Sequence, residues 1–328
     1  MINEVVDIVL VNYNGYKDTI ECIESIFHSI YKNVNIIIVD NHSTDNSIEE
    51  IKKIKMNCFN YVMVTYDSKN KKYNYNSKKN HYNNVVLISS DKNGGFGYAN
   101  NVAFEFSKRY LKSSYCWILN NDTIVDKNAI SNLVNMIKLN KNVMIGATII
   151  EYYNKKVIQR IAGNYYYPFF GFVKSFNKSK KIQDLDKIKP KFNYLTGCSI
   201  FTSYKVINEI GGFDERYFLY SEDKDLCKSA EKKKIKLVWC KNAIIYHKGG
   251  NSIGTKNSIR ESSDLSEYNT NYSTFLFNKK WYKLYKIYSF NRYILKVSKF
   301  KINKNYNKVN IVKNAYKDYK ELVLNGKK

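Results

Sequence analysis

Apolar runs alternate with helix-spaced apolar positions through the first half of the chain, which predicts a parallel sheet with crossover helices. Val5 to Val11 is one apolar run, broken only by Asp7, and it ends at Asn12-Tyr13-Asn14-Gly15. From Thr19 to Ile30 the apolar positions Ile20, Ile23, Ile26, Phe27 and Ile30 fall at helical spacing. Val34 to Val39 reads as a second buried strand closing on Asp40-Asn41, and a further helical stretch surrounds Ile48, Ile51 and Ile54. Val85 to Ser89 and Tyr115 to Leu119 complete a set of four expected strands, each with polar or glycine residues at its C-terminal edge. In open α/β sheets that edge is the ligand crevice.

Between these strands, Asp67 to Asn84 is rich in Lys, Asn and Tyr and reads as a solvated insertion loop. The second half is less regular. Glu151 to Pro190 is aromatic and basic without clear periodicity, a loop-rich substrate region. Lys236 to Tyr246 is an apolar strand leading to His247, and the chain after Ser266 reads as helical. The expected organisation is a catalytic domain over 1–265, with halves of about 1–125 and 126–265, and a helical basic extension over 266–328.

The 328 residues are 44% apolar, enough to bury a sizeable core. A net charge of +25 points to an anionic partner. Lys, Asn, Ile and Tyr are all encoded by AT-rich codons, however, so the charge alone identifies no partner. Nucleic acid fits poorly, because the acids gathered at strand ends would repel phosphates. The six cysteines form no C-x-x-C pair, and most sit in apolar runs, which favours buried thiols in a reducing compartment. With no signal-peptide pattern and no apolar run of spanning length, the expected location is the cytosol or the cytosolic face of a membrane.

The chemistry-bearing residues cluster at the strand ends. Asp40, in VDNHSTDNS, can accept hydrogen bonds from a ribose or base edge, or simply cap the next helix. Gly94, Gly95 and Gly97, in KNGGFGYANN, allow close backbone approach or positive φ. The third glycine of a dinucleotide fingerprint is replaced by Asn100, so a loop contacting a nucleotide, with Asn100 and Asn101 opening a helix, fits better. WILNNDTIVD delivers Asp122 to the sheet edge, where one carboxylate plus substrate phosphates suits a hard divalent cation. In GGFDERYFLYSEDKDLC, Glu222, Asp223 and Asp225 crowd together and raise one another's pKa. Helical spacing puts Glu222 and Asp225 on one face and points Asp223 elsewhere. His247 stands at a strand end before Lys248-Gly249-Gly250.

In order, IVLVNYNG, VDNHSTDNS, KNGGFGYANN, WILNNDT, YLTGCSIFTS, GGFDERYFLYSEDKDLC and the strand ending in His247 resemble family 2 glycosyltransferases of the GT-A fold. They are most similar to the branch containing many bacterial rhamnosyl- and galactofuranosyltransferases. The likeness covers about three-quarters of the chain. It implies an α/β fold with a mostly parallel nucleotide-binding sheet flanked by helices, and inverting transfer from a nucleoside-diphosphate sugar to a hydroxyl of a cell-surface glycan or lipid-linked acceptor. Rhamnose is the favoured sugar. Asn12, Asp40, Asn93, Gly97, Asn100, Asn101 and Asn121 are similar to donor-site positions, Asp122 and His247 to ligands of Mg²⁺ or Mn²⁺, Asp223 to the catalytic base, and Glu222 to an acceptor-binding residue. The aromatic stretch Tyr165 to Phe176 is the expected acceptor contact. One departure matters: the first acid of the family's D-x-D is Asn120 here, which leaves one carboxylate for the metal. A catalytically inactive nucleotide-sugar-binding relative is therefore the alternative reading.

Between Glu267 and Asp318 there are no acids and twelve Lys or Arg, interleaved with aromatics from Trp281 to Tyr293. This segment is expected either to lie on an anionic membrane surface or to pack on the catalytic domain with a solvated basic face.

Overall fold

The computed structural model describes residues 4–54, 60–75, 84–176, 178, 180–249 and 263–325. Cys58, His81, Gly250 and residues 76–83 of the expected insertion loop lie outside the described residues.

The parallel core is built from β1 (Val6–Asn12), β2 (Val34–Asp40), β3 (Asn60–Asp67), β5 (Asn84–Ser90) and β6 (Tyr115–Asn120), in the order β6-β1-β2-β5-β3. β4 (Lys72–Asn74) pairs antiparallel on the β3 edge. On the other side the sheet continues antiparallel through β13 (Ser199–Ser203), then through β8 (Val143–Glu151), β9 (Ile158–Ile161), β10 (Gly163–Tyr167) and β11 (Phe172–Lys174). β7 (Thr123–Val125), β12 (Tyr194–Leu195) and β14 (Lys236–His247) join its margins, with β14 running parallel to β8. The sheet thus has five parallel strands at its centre, one more than the apolar runs predict. β3 escapes that reading because it alternates instead of running apolar: Val64 and Tyr66 are buried while Met63 and Thr65 are exposed. Part of the expected insertion loop is likewise ordered, since β4 buries Tyr73, whose hydroxyl donates to Val102 O at 2.6 Å.

Successive residues of the central strands feed opposite faces. Ile8, Leu10, Ile36 and Ile38 pack under α1 (Tyr16–Phe27), α2 (Ser47–Lys52) and α4 (Ala129–Leu139). Val9, Ile37 and Val39 pack under α3 (Gly95–Phe106), α5 (Tyr204–Ile210) and α6 (Glu222–Lys232). α1 turns inward at Thr19, Cys22, Ile23 and Ile26, the spacing of one helical face. Asp7, the charge within the first apolar run, is fully buried. It accepts hydrogen bonds from Asn35 (2.8 Å), Ser113 (2.6 Å), Tyr204 (2.8 Å) and Ser107, and so ties β1 to the elements around it.

α7 (Asp264–Trp281), α8 (Tyr285–Ile302) and α9 (Tyr306–Asn325) form the C-terminal helical segment. Phe275, Ala315 and Tyr319 make one small core within it, and Val297, Val309 and Val312 another. The segment packs on the sheet domain. Asp225 accepts from Tyr217 (3.1 Å), Lys280 (2.7 Å) and Trp281 (2.6 Å), and Asn278 accepts from the Tyr166 hydroxyl at 2.7 Å. No helix among the described residues is long and apolar enough to cross a membrane.

α3 begins at Gly95, whose φ is +88°, and a Cβ there would sit 2.1 Å from Phe218 O. Gly95→Ala therefore forces both a strained backbone and a clash. We expect a loss of about 2 kcal/mol or more, read as a lower midpoint in urea unfolding.

Candidate active site

Register brings the parallel strand ends level. Asn12 pairs with Asp40, Asp40 with Ser89, and Val11 with Asn120. Asp40 is fully buried at this edge. It accepts from Asn12 Nδ2 (2.7 Å), Ser43 Oγ (2.6 Å) and the Ser43 amide (2.9 Å), while Asn12 Oδ1 accepts from Thr19 (2.8 Å). Asn121 Nδ2 donates to that same Thr19 hydroxyl at 2.8 Å. Asn41 Nδ2 donates to Asn93 Oδ1 at 2.8 Å, and Asn93 accepts from the Gly95 amide at 3.1 Å. These amides and the Asp40 carboxylate shape the loops above the sheet edge.

Three expected donor-site positions also make contacts within the protein. Gly97 packs against Phe213, whose Cβ lies 3.0 Å from where a Gly97 Cβ would stand. Asn100 is buried and donates to Phe96 O at 2.9 Å. Asn101 donates to Phe213 O and Glu215 and accepts from the Phe213 amide, each at 2.9 Å. Helix α3 thus turns Asn101 and the Gly97 backbone toward the Gly211–Arg216 loop, while Asn100 bonds within its own helix.

A cavity of about 380 Å³ lies beside the sheet edge, with Asn120, His247, Glu222, Asp223 and Lys224 among its walls. Asp122 is buried next to it, with Oδ1 3.1 Å from His247 Nε2. On its far side the imidazole pairs Nδ1 with Gln159 Oε1 at 2.7 Å, which orients the ring. Burial works against a charged imidazole here, yet the Cys198 thiol and the Asp122 carboxylate hold its pKa well above the ordinary histidine value. The pair is therefore built to enclose a positive charge, supplied by a proton or by a divalent cation.

The acids of α6 enter the cavity through an unusual backbone. Tyr220 and Ser221 both have positive φ, +65° and +71°, immediately before Glu222. Such strain in non-glycine residues persists where surrounding structure enforces it. The result differs from simple helical spacing: Glu222 and Asp223 both line the cavity, whereas Asp225 turns away to Lys280 and Trp281. Asp223 accepts from the Gly197 amide at 3.2 Å and the Lys224 amide at 2.7 Å. Glu222 Oε2 is buried with no hydrogen-bond partner. Burial, and then the Asp223 carboxylate, push the Glu222 carboxyl well above the usual range. Burial raises Asp223 too, while Lys224, the Gly197 and Lys224 amides and Arg160 pull it back. Lys224 is itself buried, which pushes its ammonium down to about 7 against the attraction of Asp223. Its Nζ lies 4.3 Å from the Tyr166 ring centre and 5.1 Å from that of Phe277.

Lys224, Arg160 and the α7–α8 residues Thr270, Thr274 and Arg292 complete the cavity wall. Sequence reading missed them. Arg292 is one of many cations in a basic helix, and only its burial, with Nε donating to Asn271 at 3.0 Å and Nη1 to Gly171 O, sets it apart. Of the aromatic stretch Tyr165 to Phe176, Gly171 and Val173 reach the cavity.

Because Lys224 favours the ionised form of Asp223, removing its charge raises the Asp223 pKa. Any activity that needs the Asp223 carboxylate is then lost at a higher pH as the solution is acidified. We expect Lys224→Gln to move the acid limb of the kcat/KM profile upward, a shift that a purely structural lysine would not produce.

The chain has relatives among known proteins. Residues 7–211 match the family model described as Glycosyl transferase family 2. The chain is similar to the glycosyltransferase GlyG of Streptococcus pneumoniae serotype 4, 28% identical over 166 residues, which are 50% of this chain and 44% of that protein. It thus spans less than half the length of that curated relative. Its fold is similar to the mannosyltransferase PcManGT of Pyrobaculum calidifontis solved with GDP-Man and Mn²⁺ (TM-score 0.53, 12% identity, 98% of this chain and 79% of that one). It is also similar to GalNAc-T7 solved with UDP, GalNAc and Mn²⁺ (TM-score 0.55, 12% identity, 96% and 54%). With a mostly parallel sheet sandwiched between helices, and its acids brought to the sheet's C-terminal edge, the chain has the GT-A fold and belongs to glycosyl transferase family 2.

Proposed function

We propose that this chain transfers a sugar, with inversion, from a nucleoside-diphosphate sugar to a hydroxyl of a glycan or lipid-linked acceptor. One observation carries the reading: a single cavity is lined both by His247, which pairs with Asp122 behind it, and by Glu222 and Asp223. Asp122 and His247 would hold Mg²⁺ or Mn²⁺. Two protein donors suit such an ion, since hard cations complete their shells with substrate phosphate and water, and among the described residues no larger His, Cys, Asp and Glu cluster competes. When bound, the ion supplies charge neutralisation for the departing diphosphate. Asn12, Asp40, Asn93 and Asn121 support the donor from behind, by fixing the loops at the strand ends.

Asp223 accepts the proton of the acceptor hydroxyl as that oxygen attacks the anomeric carbon. Attack from the face opposite the leaving group breaks the carbon–oxygen bond to the diphosphate and inverts the centre. Glu222, held protonated by burial, is a hydrogen-bond donor for an acceptor oxygen. Arg160 and Lys224 help keep Asp223 ionised in a dry site.

The test is a panel of dTDP-, UDP- and GDP-sugars with Mg²⁺ or Mn²⁺, following nucleoside diphosphate release, with nucleotide binding measured in parallel by calorimetry. On the resemblance, dTDP-rhamnose is the first donor to try. Metal-dependent turnover of one donor supports the reading, and no binding of any nucleotide with either metal refutes it.

A further inference from the structure

One of the junctions between the C-terminal helices and the sheet domain forms an exposed apolar surface. Tyr167 of β10 and Phe172 of β11 flank a tip that includes Phe169, Phe170 and Gly171. α8 grips this tip. Asn291 Nδ2 donates to Phe169 O at 3.2 Å, Arg292 donates to Gly171 O, and the Phe169 and Tyr288 rings meet at 5.9 Å. Phe169, Phe170 and Phe172 nevertheless remain exposed.

The outer side of α8 continues that surface. Leu284, just before the helix, and Ile287, Phe290, Ile294 and Leu295 within it are each between 42% and 54% exposed. At 3.6 residues per turn they fall within an arc of roughly 140°. Ser289 and Arg292 of the same helix point inward and are buried. A solvated helix normally shows polar residues outward, so an apolar outer stripe calls for a partner. The residues around it name the chemistry: Lys283, Lys286, Lys299 and Lys301 are all exposed, and no acid occurs between Glu267 and Asp318.

We propose that the outer face of α8 and the β10–β11 tip together form a docking surface for an anionic lipid bilayer. Apolar side chains enter the headgroup boundary while the flanking lysines meet anionic headgroups. The placement also bears on function. Gly171, Val173 and Arg292 line the cavity, and Val173 is exposed as well, so the cavity opens beside this face. A bilayer-bound enzyme would thus present its cavity to an acceptor carried on a lipid, a consequence that rests on the transfer reading above. The docking itself does not.

Vesicle co-sedimentation of the full chain tests it, using phosphatidylcholine vesicles with and without phosphatidylglycerol, at low and high salt. We expect binding only to the anionic vesicles, weakened by salt. Ile287→Ser with Ile294→Ser should lower it on the order of tenfold or more. Phe170→Ser on the tip should lower it independently of any effect on α8 folding. Leu139→Ser, at an exposed apolar residue elsewhere, should leave it unchanged. Circular dichroism and nucleotide binding of each variant report whether fold and donor site are intact. Absence of vesicle binding by the wild type, or binding unaffected by both face variants, overturns the proposal. So does a dimer in sedimentation velocity that the face variants dissociate, which would assign the surface to a second copy. Because the readout is vesicle association, failure of the donor panel leaves the result interpretable, and absence of vesicle binding by a wild type with intact donor turnover condemns the docking surface alone.

Discussion

Asp223→Asn is expected to reduce kcat by about 10²- to 10⁴-fold, the range for loss of a positioned general base, while nucleotide affinity stays near wild type. The substitution is a narrow one. The Gly197 amide donates to Oδ2 and the Lys224 amide to Oδ1, so the single amide oxygen of the variant keeps one of these two bonds and loses the other. The substitution also removes a charge that burial disfavours, which offsets that loss, so thermal stability should change little. Glu222→Gln separates the roles of the two neighbours: a protonated carboxyl that donates to the acceptor is replaced by an amide that also donates, so kcat and the acceptor KM should both stay near wild type, in contrast to Asp223→Asn. The measurement is steady-state transfer with calorimetric nucleotide binding. Comparable kcat in wild type and Asp223→Asn would remove Asp223 from the base role.

Asp122→Ala is expected to lower metal-dependent nucleotide affinity about 100-fold or more, and His247→Ala to follow it. Gln159→Leu should fall between them and wild type, because Gln159 only orients the imidazole, and such outer partners typically contribute 10- to 100-fold. The single-carboxylate site makes this test sharp, since Asn120 carries no charge to compensate. Titrating Mn²⁺ into protein and nucleoside diphosphate, with each variant in turn, provides the readout. Nucleotide binding equal with and without metal, and equal in wild type and Asp122→Ala, would take the cation out of the reading.

Both predictions rest on residues that could be named from the chain alone. His247 ends a strand and Asp122 lies in the turn two residues past the end of β6, and a strand delivers the residues at its end to the sheet edge whatever the rest of the fold does. Glu222 and Asp223 stand out as adjacent acids beside aromatics. The same logic is less decisive at Gly97, Asn100 and Asn101. A glycine- and asparagine-rich helix start looks alike whether its amides face a ligand or clamp the Gly211–Arg216 loop, and only the packing of α3 on Phe213 separates the two. Helical spacing likewise paired Glu222 with Asp225, because the positive φ values at Tyr220 and Ser221 leave no mark in residue type.

The sequence by itself determined four of the five central parallel strands and the acids at their ends, because burial pattern and strand ends are local properties written at periods of two and 3.6 residues. Tertiary structure decided what those residues face. Lys224 between two rings, Arg292 reaching Gly171 across more than a hundred residues of chain, and the outward apolar stripe of α8 are long-range outcomes. They depend on which surfaces happen to be covered when distant segments pack, and no single window of the sequence contains that information.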